Sequence, residues 1–482
     1  MSPSRILVTG STGYVGGRVV PALLGEGHAV RCLVRTPAKL STAVWIDEIE
    51  VVQGSVDGDL STAMADIDVA IYLIHSIGEG EDWAERELQH AENFAGAAHR
   101  AGVKRIVYLG GLGASADALS VHLQSRQNVG EALAATGVPT VELRAGVIIG
   151  SASASFEMLR YLVEVLPIMV TPKWVTTRCQ PIGINDIVNM VVAAASSEEE
   201  ISGVYEAGGS NVVTYAEMMS TYARCAGLRR RILIPVPLLT PRLSSHWIGL
   251  VTPVPVPLAK ELVKSLVNEV IVTQNSACEA FGISPMSLEE SITRALAVTQ
   301  AGVAPTSFSD ADLIYFQPNE LDPDWAGGTE FRDTRHEELR LSAQAVFAEL
   351  TTIGGEKGWY SAGFLWKIRG LIDQIIGGPG MRRGRKKVLQ VGDALDFWRI
   401  EEVEEGRSLR LRAEMRLPGQ AWLTWNLAEA EGVTTITQIA SFRPRGLLGR
   451  VYWAAVWPFH GLIFPSMLKR MAAEATRRAQ SS

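Results

Sequence analysis

The chain has 482 residues, 47% of them hydrophobic and 20% charged, which is typical of a folded globular protein with two or three domains. Its formal net charge is −7, so the chain as a whole does not attract nucleic acid, and we expect no nucleic-acid partner. The four cysteines are widely spaced and the first residues lack a secretory-signal pattern, which favours a cytoplasmic protein with reduced thiols and predicts no metal site.

A glycine-rich turn follows the first apolar run and leads into an apolar helix. It consists of Gly10, Ser11, Thr12, Gly13, Tyr14, Val15 and Gly16. In a dinucleotide-binding turn, Gly10 permits the tight bend, Gly13 lets backbone N–H groups approach a diphosphate, and Gly16 lets helix and strand pack closely. A plain glycine-rich turn is the alternative, but the strand–turn–helix order favours binding of a dinucleotide.

Short apolar runs alternate with helical segments up to residue 150. Strands are expected at residues 5–9, 29–34, 50–53, 69–74, 105–109 and 140–144. This alternation indicates a parallel sheet with helices on both faces. The sequence therefore predicts an α/β fold, a doubly wound parallel sheet of the Rossmann type, over residues 1–150.

The end of the second predicted strand bears on the choice of cofactor. An acidic residue there would bind the ribose 2′-hydroxyl of NAD, whereas an arginine accommodates the 2′-phosphate of NADP. This chain has Arg35 and no carboxylate at that point. NADP is therefore preferred over NAD, unless Arg35 is simply a solvated loop charge.

Together these segments resemble the atypical, extended short-chain dehydrogenase/reductase superfamily, and most closely its NmrA-like and complex I 39-kDa-subunit-like members. The resemblance covers residues 4–300 and rests on the loop at residues 10–16 and on residues 72–78, 143–150 and 180–187. It implies an NAD(P)-binding core at 1–150 and a small substrate lobe at 151–300. It also implies that the segment containing His75 lines the cofactor and that Asp57 lies on the adenine side.

The sequence departs from that family at the positions of its usual catalytic residues. After the fifth strand, Gly110 and Gly111 occupy the region where many relatives carry a serine, and the next helix has His122 and Arg126 in place of tyrosine and lysine. His122 and Arg126 are four residues apart and share a helix face. We expect His122 to be the candidate proton donor and Arg126 to hold the ribose while lowering the pKa of His122. His75 is a further catalytic candidate. The alternative is that these side chains take no part in chemistry.

The lobe and its proline-rich end have less specific patterns. Helices are expected at residues 156–166, 185–196 and 215–226. The segment from 232 to 258 contains too many prolines for a continuous helix. It is expected to form packing loops or the edge of an apolar pocket.

Beyond a predicted linker at 301–325, residues 326–482 change to a different pattern. Helices are expected at 341–350, 364–376 and 449–479, and strands at 394–403, 408–417, 421–427 and 434–442. An antiparallel sheet with a long final helix follows from this order. The segment resembles an uncharacterised domain fused to such reductases, similar to START/Bet v 1-like helix-grip proteins. That resemblance implies an α+β helix-grip domain with an apolar ligand.

Two C-terminal segments bear on membrane association. The basic run at 382–387 could contact anionic lipid, although a solvated loop is the favoured interpretation. Residues 451–468 are apolar and nearly long enough to span a bilayer, but Pro458, His460 and Pro465 interrupt them. A buried helix is favoured, and peripheral membrane contact stays open.

Three functions remain open on the sequence alone. The first is an NAD(P)H-dependent oxidoreductase that acts on an apolar carbonyl or a quinone-like substrate. The second is a non-catalytic NAD(P)H redox sensor or assembly factor, which the missing serine favours. The third is a carrier of a hydrophobic ligand or lipid through the C-terminal domain. The sequence does not indicate whether the chain forms oligomers.

Overall fold

A computed structural model describes residues 3–41, 43–75, 82–113, 120–236, 262–274, 276–301, 328–354, 358–360 and 389–481. The chain divides into two compact units, Met1–Gly328 and Thr329–Ser482. Several predicted segments lie outside the described residues: the linker from residue 302, the helix at 364–376, the basic run at 382–387 and the proline-rich segment from 237 to 258.

The first unit alternates strands and helices. Its described strands are β1 (Arg5–Thr9), β2 (Ala29–Val34), β3 (Glu50–Gln53), β4 (Val69–Tyr72), β5 (Arg105–Gly111), β6 (Thr140–Ala145), β7 (Ile148–Ile149), β8 (Ile168–Thr171), β9 (Arg178–Cys179), β10 (Ile182–Gly183), β11 (Gly203–Ala207), β12 (Val213–Thr214) and β13 (Ile232–Pro235). Its described helices are α1 (Gly16–Gly25), α2 (Ser61–Met64), α3 (Trp83–Ala101), α4 (Val121–Ala134), α5 (Ala154–Val165), α6 (Ile184–Ser196), α7 (Tyr215–Cys225), α8 (Ala277–Ala280) and α9 (Leu288–Ala301).

Seven of the described strands form one parallel sheet in the order β11-β6-β5-β4-β1-β2-β3. The predicted doubly wound parallel sheet is thereby confirmed. The strand order reverses at β1, which lies between β4 and β2, and in such sheets ligands bind where the order reverses, beyond the carboxyl ends of the strands. Thr9, Tyr72 and Tyr108 are register partners across β1, β4 and β5, so the segments that follow these strands leave the same edge.

Apolar side chains cover the sheet on both faces. Helix α1 buries Val19, Val20 and Leu23 in the core on one face. Phe94 of α3 packs edge-to-face on Tyr72 of β4 in a separate core cluster, with ring centroids 4.9 Å apart. The near-continuous apolar strands follow from this double coverage.

In the seven-stranded sheet, strands β4 and β11 differ from the prediction. Strand β4 ends at Tyr72 and not at residue 74 as predicted. The next residue, Leu73, lies against Gly10 of the β1–α1 loop. The edge strand β11 was not predicted. Its five residues are mostly half-buried, so its apolar pattern is weak.

The second unit contains an antiparallel sheet and two described helices. Its elements are β14 (Phe331–Leu339), α10 (Ala343–Leu350), β15 (Ala394–Leu395), β16 (Trp398–Glu404), β17 (Ser408–Ala413), β18 (Gly419–Ala430), β19 (Val433–Pro444) and α11 (Gly446–Ser481). The described strands pair in the order β14-β19-β18-β17-β16-β15. The single strand predicted at 394–403 is wrong, because Asp396 adopts φ +53° and breaks it into β15 and β16. Strand β14 was missed because its residues are mostly charged.

Helix α11 is continuous through Pro458 and Pro465 and packs one face on the sheet. Trp453 stacks between Phe331 and Phe442, with ring centroids 5.4 and 5.7 Å away. The opposite face is exposed: Leu448 and Leu462 are 76% and 73% accessible. The predicted burial of this helix is therefore wrong for half of its surface. Within the described ranges, the structure has no helix that is both long and apolar enough to cross a membrane.

Candidate functional site

The loop between β1 and α1 is built on close backbone contacts. Gly10 has φ +74°, and a Cβ there would lie 2.8 Å from the carbonyl oxygen of Leu73. A Cβ at Gly16 would lie 2.2 Å from the carbonyl oxygen of Gly10, to which the N–H of Gly13 also donates over 2.9 Å. Side chains are therefore excluded at positions 10 and 16. Helix α1 begins directly behind the loop, so the positive end of its dipole points towards the loop, as in turns that form a cradle for a diphosphate.

The other loop residues differ in exposure. Gly13 is exposed at the mouth of the loop, Thr12, Tyr14 and Val15 are half-buried, and Ser11 is fully buried. Thr12, Gly13 and Val15 therefore remain accessible to a ligand in the cradle, whereas Ser11 supports the loop from inside.

The segment after β6 returns to this loop. A Cβ at Gly150 would lie 2.2 Å from the hydroxyl of Tyr14, so only glycine lets the two segments meet. The guanidinium of Arg18 lies over the Tyr14 ring, 4.0 Å from its centroid. Next to Gly150, strand β7 pairs with β10 through Ile148 and Ile182. The segments at 143–150 and 180–187 therefore lie together beside the loop.

Arg35 and Asp57 lie close together beyond β2 and β3. Both side chains are exposed. A hydrogen bond with Ser55, supported by the positive charge of Arg35, holds the pKa of Asp57 below its usual value. An exposed arginine beside this carboxylate leaves its guanidinium accessible to a ligand phosphate.

The three candidate catalytic residues interact electrostatically with one another. Arg126 is only 7% accessible, and its Nη1 lies 3.5 Å from the Tyr108 hydroxyl, which donates to the carbonyl oxygen of Arg126 over 3.1 Å. Burial by itself would lower the pKa of Arg126, but Tyr108 and the buried Glu87 reverse the shift and raise it. A permanently charged guanidinium therefore lies between helix α4 and the sheet, near His122 and His75.

Both imidazoles are held in the uncharged form. Burial, and then the charge of Arg126, lower the pKa of His122 to about 3. The pKa of His75 is lowered by the surrounding protein and by the charges of Arg126 and His122, although its side chain keeps contact with solvent. At neutral pH neither residue carries a proton to give as an imidazolium.

The glycines after β5 have a packing reason. A Cβ at Gly111 would lie 3.1 Å from Cδ2 of Leu123, and one at Gly110 would lie 3.0 Å from Oε1 of Glu142. Strand β5 continues through both glycines, and helix α4 packs closely against its end. A serine at either position would require that neighbour to shift.

A cavity of about 120 Å³ begins beside these glycines. From the core it is lined by Gly111, Leu112, His122, Leu123, Ala145, Gly146 and Val147. From the lobe it is lined by Ser155, Met158, Leu159, Leu162, Trp174, Tyr215, Met218, Met219, Leu262, Ser265, Leu266 and Val270. None of these residues is Asp, Glu, Lys or Arg, so the cavity suits an uncharged apolar molecule.

Sequence reasoning missed the lobe side of the cavity. Trp174 and Tyr215 pack edge-to-face there, with ring centroids 5.8 Å apart. They come from a short 3₁₀ helix and from the start of α7, so no local spacing connects them. Glu87, which faces Arg126 electrostatically, was missed for the same reason.

Two family models match the chain. The model of the NmrA-like family matches residues 2–280, more than half of the chain. A second model, described as a protein of unknown function (DUF2867), matches residues 325–467.

Relatives and solved structures with similarity to the chain include dehydrogenases and reductases. The 3 beta-hydroxysteroid dehydrogenase/Delta 5→4-isomerase of Mycobacterium tuberculosis is 35% identical over 116 residues, which make up 22% of this chain. That match spans only 30% of the relative's length. The NADPH-dependent quinone oxidoreductase of Escherichia coli, complexed with NADPH, is 20% identical with a TM-score of 0.49 over 60% of this chain and 99% of that one. The triphenylmethane reductase of Citrobacter sp., complexed with NADP(H), is 21% identical with the same TM-score and the same coverage.

The lowered pKa of His122 predicts an acid-dependent loss of stability. An unfolded chain takes up a proton on this histidine below about pH 6.5, whereas the folded chain takes it up only near pH 3. The free energy of unfolding should therefore fall as the pH drops from about 6.5 towards 3, and His75 contributes with the same sign.

Chemical denaturation at several pH values checks this prediction. His122→Gln should lose less stability than the wild type between pH 7 and pH 5. His99→Gln, at an exposed position of α3, is the matched control and should keep the wild-type pH dependence. Identical pH dependence in His122→Gln and the wild type would contradict the assigned environment of His122.

Proposed function

The chain belongs to the NmrA-like family, and from that premise we propose that its first unit binds NADP(H) in preference to NAD(H) and reduces an apolar carbonyl or a quinone-like compound. The observation that carries this proposal is a shared sheet edge. The glycine loop follows β1, and the cavity begins at the ends of β5 and β6. Strand β5 lies two positions from β1 in the sheet, about 10 Å away at the usual strand spacing.

The residues that would hold the cofactor follow from the loop geometry. The backbone from Gly10 to Gly16 binds the diphosphate, and Arg35 binds the 2′-phosphate of NADP through a charge-assisted hydrogen bond. When bound, the cofactor supplies a hydride. The cavity places an uncharged substrate beside the same edge.

His122 acts in this proposal as a hydrogen-bond donor rather than as a proton donor. An imidazole whose pKa is about 3 is neutral at pH 7, but its N–H can still polarise a carbonyl oxygen. The buried Arg126 is a positioning residue that keeps His122 uncharged and supplies a fixed positive charge. The proton that completes the alcohol then comes from a water molecule, which leaves as hydroxide.

The redox sensor or assembly factor remains the rival for this unit. Both functions use the same cofactor site, but only the enzyme reduces a substrate. Reduction of a quinone or an apolar ketone by the NADPH-loaded chain supports the enzyme. NADPH binding without reduction across a broad panel of both compound classes favours the sensor.

The glycine loop gives the first test of the proposal. Gly16→Ala places a Cβ against the Gly10 carbonyl oxygen, forces the loop apart and should weaken NADPH binding about tenfold or more. Gly25→Ala, in the same helix, is the matched control and should bind as the wild type does, because a Cβ added there would meet nothing within 4 Å. Isothermal titration with NADPH measures both. Equal binding by Gly16→Ala and the wild type, with both folded by circular dichroism, would contradict the assigned cradle.

Arg35 gives the second test, because its proposed contact is with the 2′-phosphate, which NADPH has and NADH lacks. Arg35→Ala removes a hydrogen bond to a charged group, and the affinity for NADPH should fall about tenfold while that for NADH changes less than about twofold. Lys39→Ala, at an exposed position in the same segment, is the control. An equal loss of affinity for NADPH and NADH would show that Arg35 does not contact the 2′-phosphate.

A second candidate function concerns the second unit, which we propose binds a hydrophobic ligand in a helix-grip arrangement. A cavity of about 70 Å³ lies between its sheet and helix α11, with aromatic lining from Trp398, Trp422, Phe442, Tyr452 and Trp453. The indole N–H of Trp398 is buried and has no hydrogen-bond partner within the described residues. A ligand oxygen in the cavity would satisfy this donor.

Filling this second cavity tests the carrier proposal. Ala440 lines it and is buried, so Ala440→Leu should weaken the binding of the uncharged dye Nile red by about tenfold. Ala428→Leu, at an exposed position of the neighbouring strand β18, is the control. Dye fluorescence in the full chain measures the affinity, and equal binding by both variants would place the dye elsewhere.

A further inference from the structure

The lobe wall of the first cavity carries two aromatic hydrogen-bond donors among apolar side chains. Trp174 is 7% accessible and Tyr215 is 4% accessible, and their rings meet at an interplanar angle of 86°. Around them the wall is formed by residues such as Met158, Leu162 and Met218, which have no hydrogen-bond acceptor stronger than a thioether.

The indole of Trp174 has no partner in the described part of the chain. Its Nε1–H is closed off from solvent and makes no hydrogen bond. Leaving a buried donor unpaired destabilises the folded chain, so native proteins rarely keep one without a reason. A bound molecule with an oxygen acceptor is such a reason, because Trp174 lines the cavity.

Tyr215 provides a second donor at the same place. Burial raises the pKa of its hydroxyl well above the usual value, so the group stays protonated throughout the neutral and mildly alkaline range. A protonated phenol beside an unpaired indole N–H forms a site for a neutral oxygen. It does not suit an ammonium group, which brings only donors.

His122 belongs to the core wall of the cavity. It comes from helix α4 of the core, beside Gly111 at the end of β5, whereas Trp174 and Tyr215 come from the lobe. The cavity therefore has a polar group on its core side and a pair of donors on its lobe side, with apolar side chains between them.

We propose that the substrate is an uncharged apolar molecule with a second oxygen besides its reacting carbonyl, and that Trp174 and Tyr215 bind this second oxygen. The inference rests on the proposed function, because the reacting carbonyl is assigned to the His122 side by the position of the cofactor loop. Trp174 and Tyr215 are thus specificity-determining residues, and the core wall is the reacting end.

A matched pair of ketones tests the inference. The probes are 5α-androstane-3,17-dione and 5α-androstan-3-one, which have the same skeleton and differ only in the second oxygen. Their dissociation constants are measured by isothermal titration on the full chain loaded with NADP⁺, which cannot reduce them. The wild type should bind the dione about threefold to tenfold more tightly than the monoketone, as expected for one net hydrogen bond.

Trp174→Phe and Tyr215→Phe separate the hydrogen bonds from the packing. Each variant keeps an aromatic ring, so the lost volume affects both probes alike, whereas the lost donor affects the dione alone. In Trp174→Phe the preference should fall to about onefold to twofold, and Tyr215→Phe should reduce it in part. Met218→Leu, which removes no donor from the same wall, should keep the full preference.

Each outcome supports or overturns the inference. A dione preference that persists in Trp174→Phe, or no preference in the wild type, would overturn it. Failure of both probes to bind to a chain that does bind NADP⁺ would overturn it as well, while the cofactor part of the proposed function stands. Failure of NADP⁺ itself to bind would instead contradict the proposed function.

Discussion

The close approach of helix α1 to the end of strand β1 is the constraint on which the rest of the first unit depends. With no side chain at Gly16, the helix begins against the carbonyl oxygen of Gly10, and with none at Gly10 the loop lies against Leu73. The same loop meets Gly150 through Tyr14. These contacts hold the segments that follow β1, β4 and β7 together, at the edge of the parallel sheet where β5 and β6 also end.

A second constraint is the burial of one cation beside two imidazoles. Arg126 keeps its charge because Tyr108 and Glu87 compensate for its burial, and this charge then disfavours protonation of His122. The tyrosine–lysine pair of related reductases combines a proton donor with a cation that lowers its pKa. The histidine–arginine pair here keeps the cation but leaves a neutral hydrogen-bond donor. Polarisation of a carbonyl is consistent with this arrangement, and proton donation by an imidazolium is not.

The strands of the parallel sheet were predicted well, because buried strands and glycine turns are determined by residues close together in the sequence. The strands at 29–34 and 50–53 coincide with the observed ones. The lobe wall of the cavity could not be predicted, since Trp174 and Tyr215 meet only through tertiary packing. In the second unit, strand β14 escaped prediction because charged residues lie on both faces of this edge strand and hide its period. The break at Asp396 escaped it because a non-glycine residue with positive φ has no sequence signal of its own.

Direct titration of the unmodified chain with reduced cofactor tests the central claim, that the loop from Gly10 to Gly16 cradles a dinucleotide diphosphate. Energy transfer from tryptophan to the nicotinamide ring reports binding without any substrate. We expect saturable binding of one NADPH per chain, with weaker binding of NADH. Absence of saturable binding of either cofactor to the folded protein would contradict it.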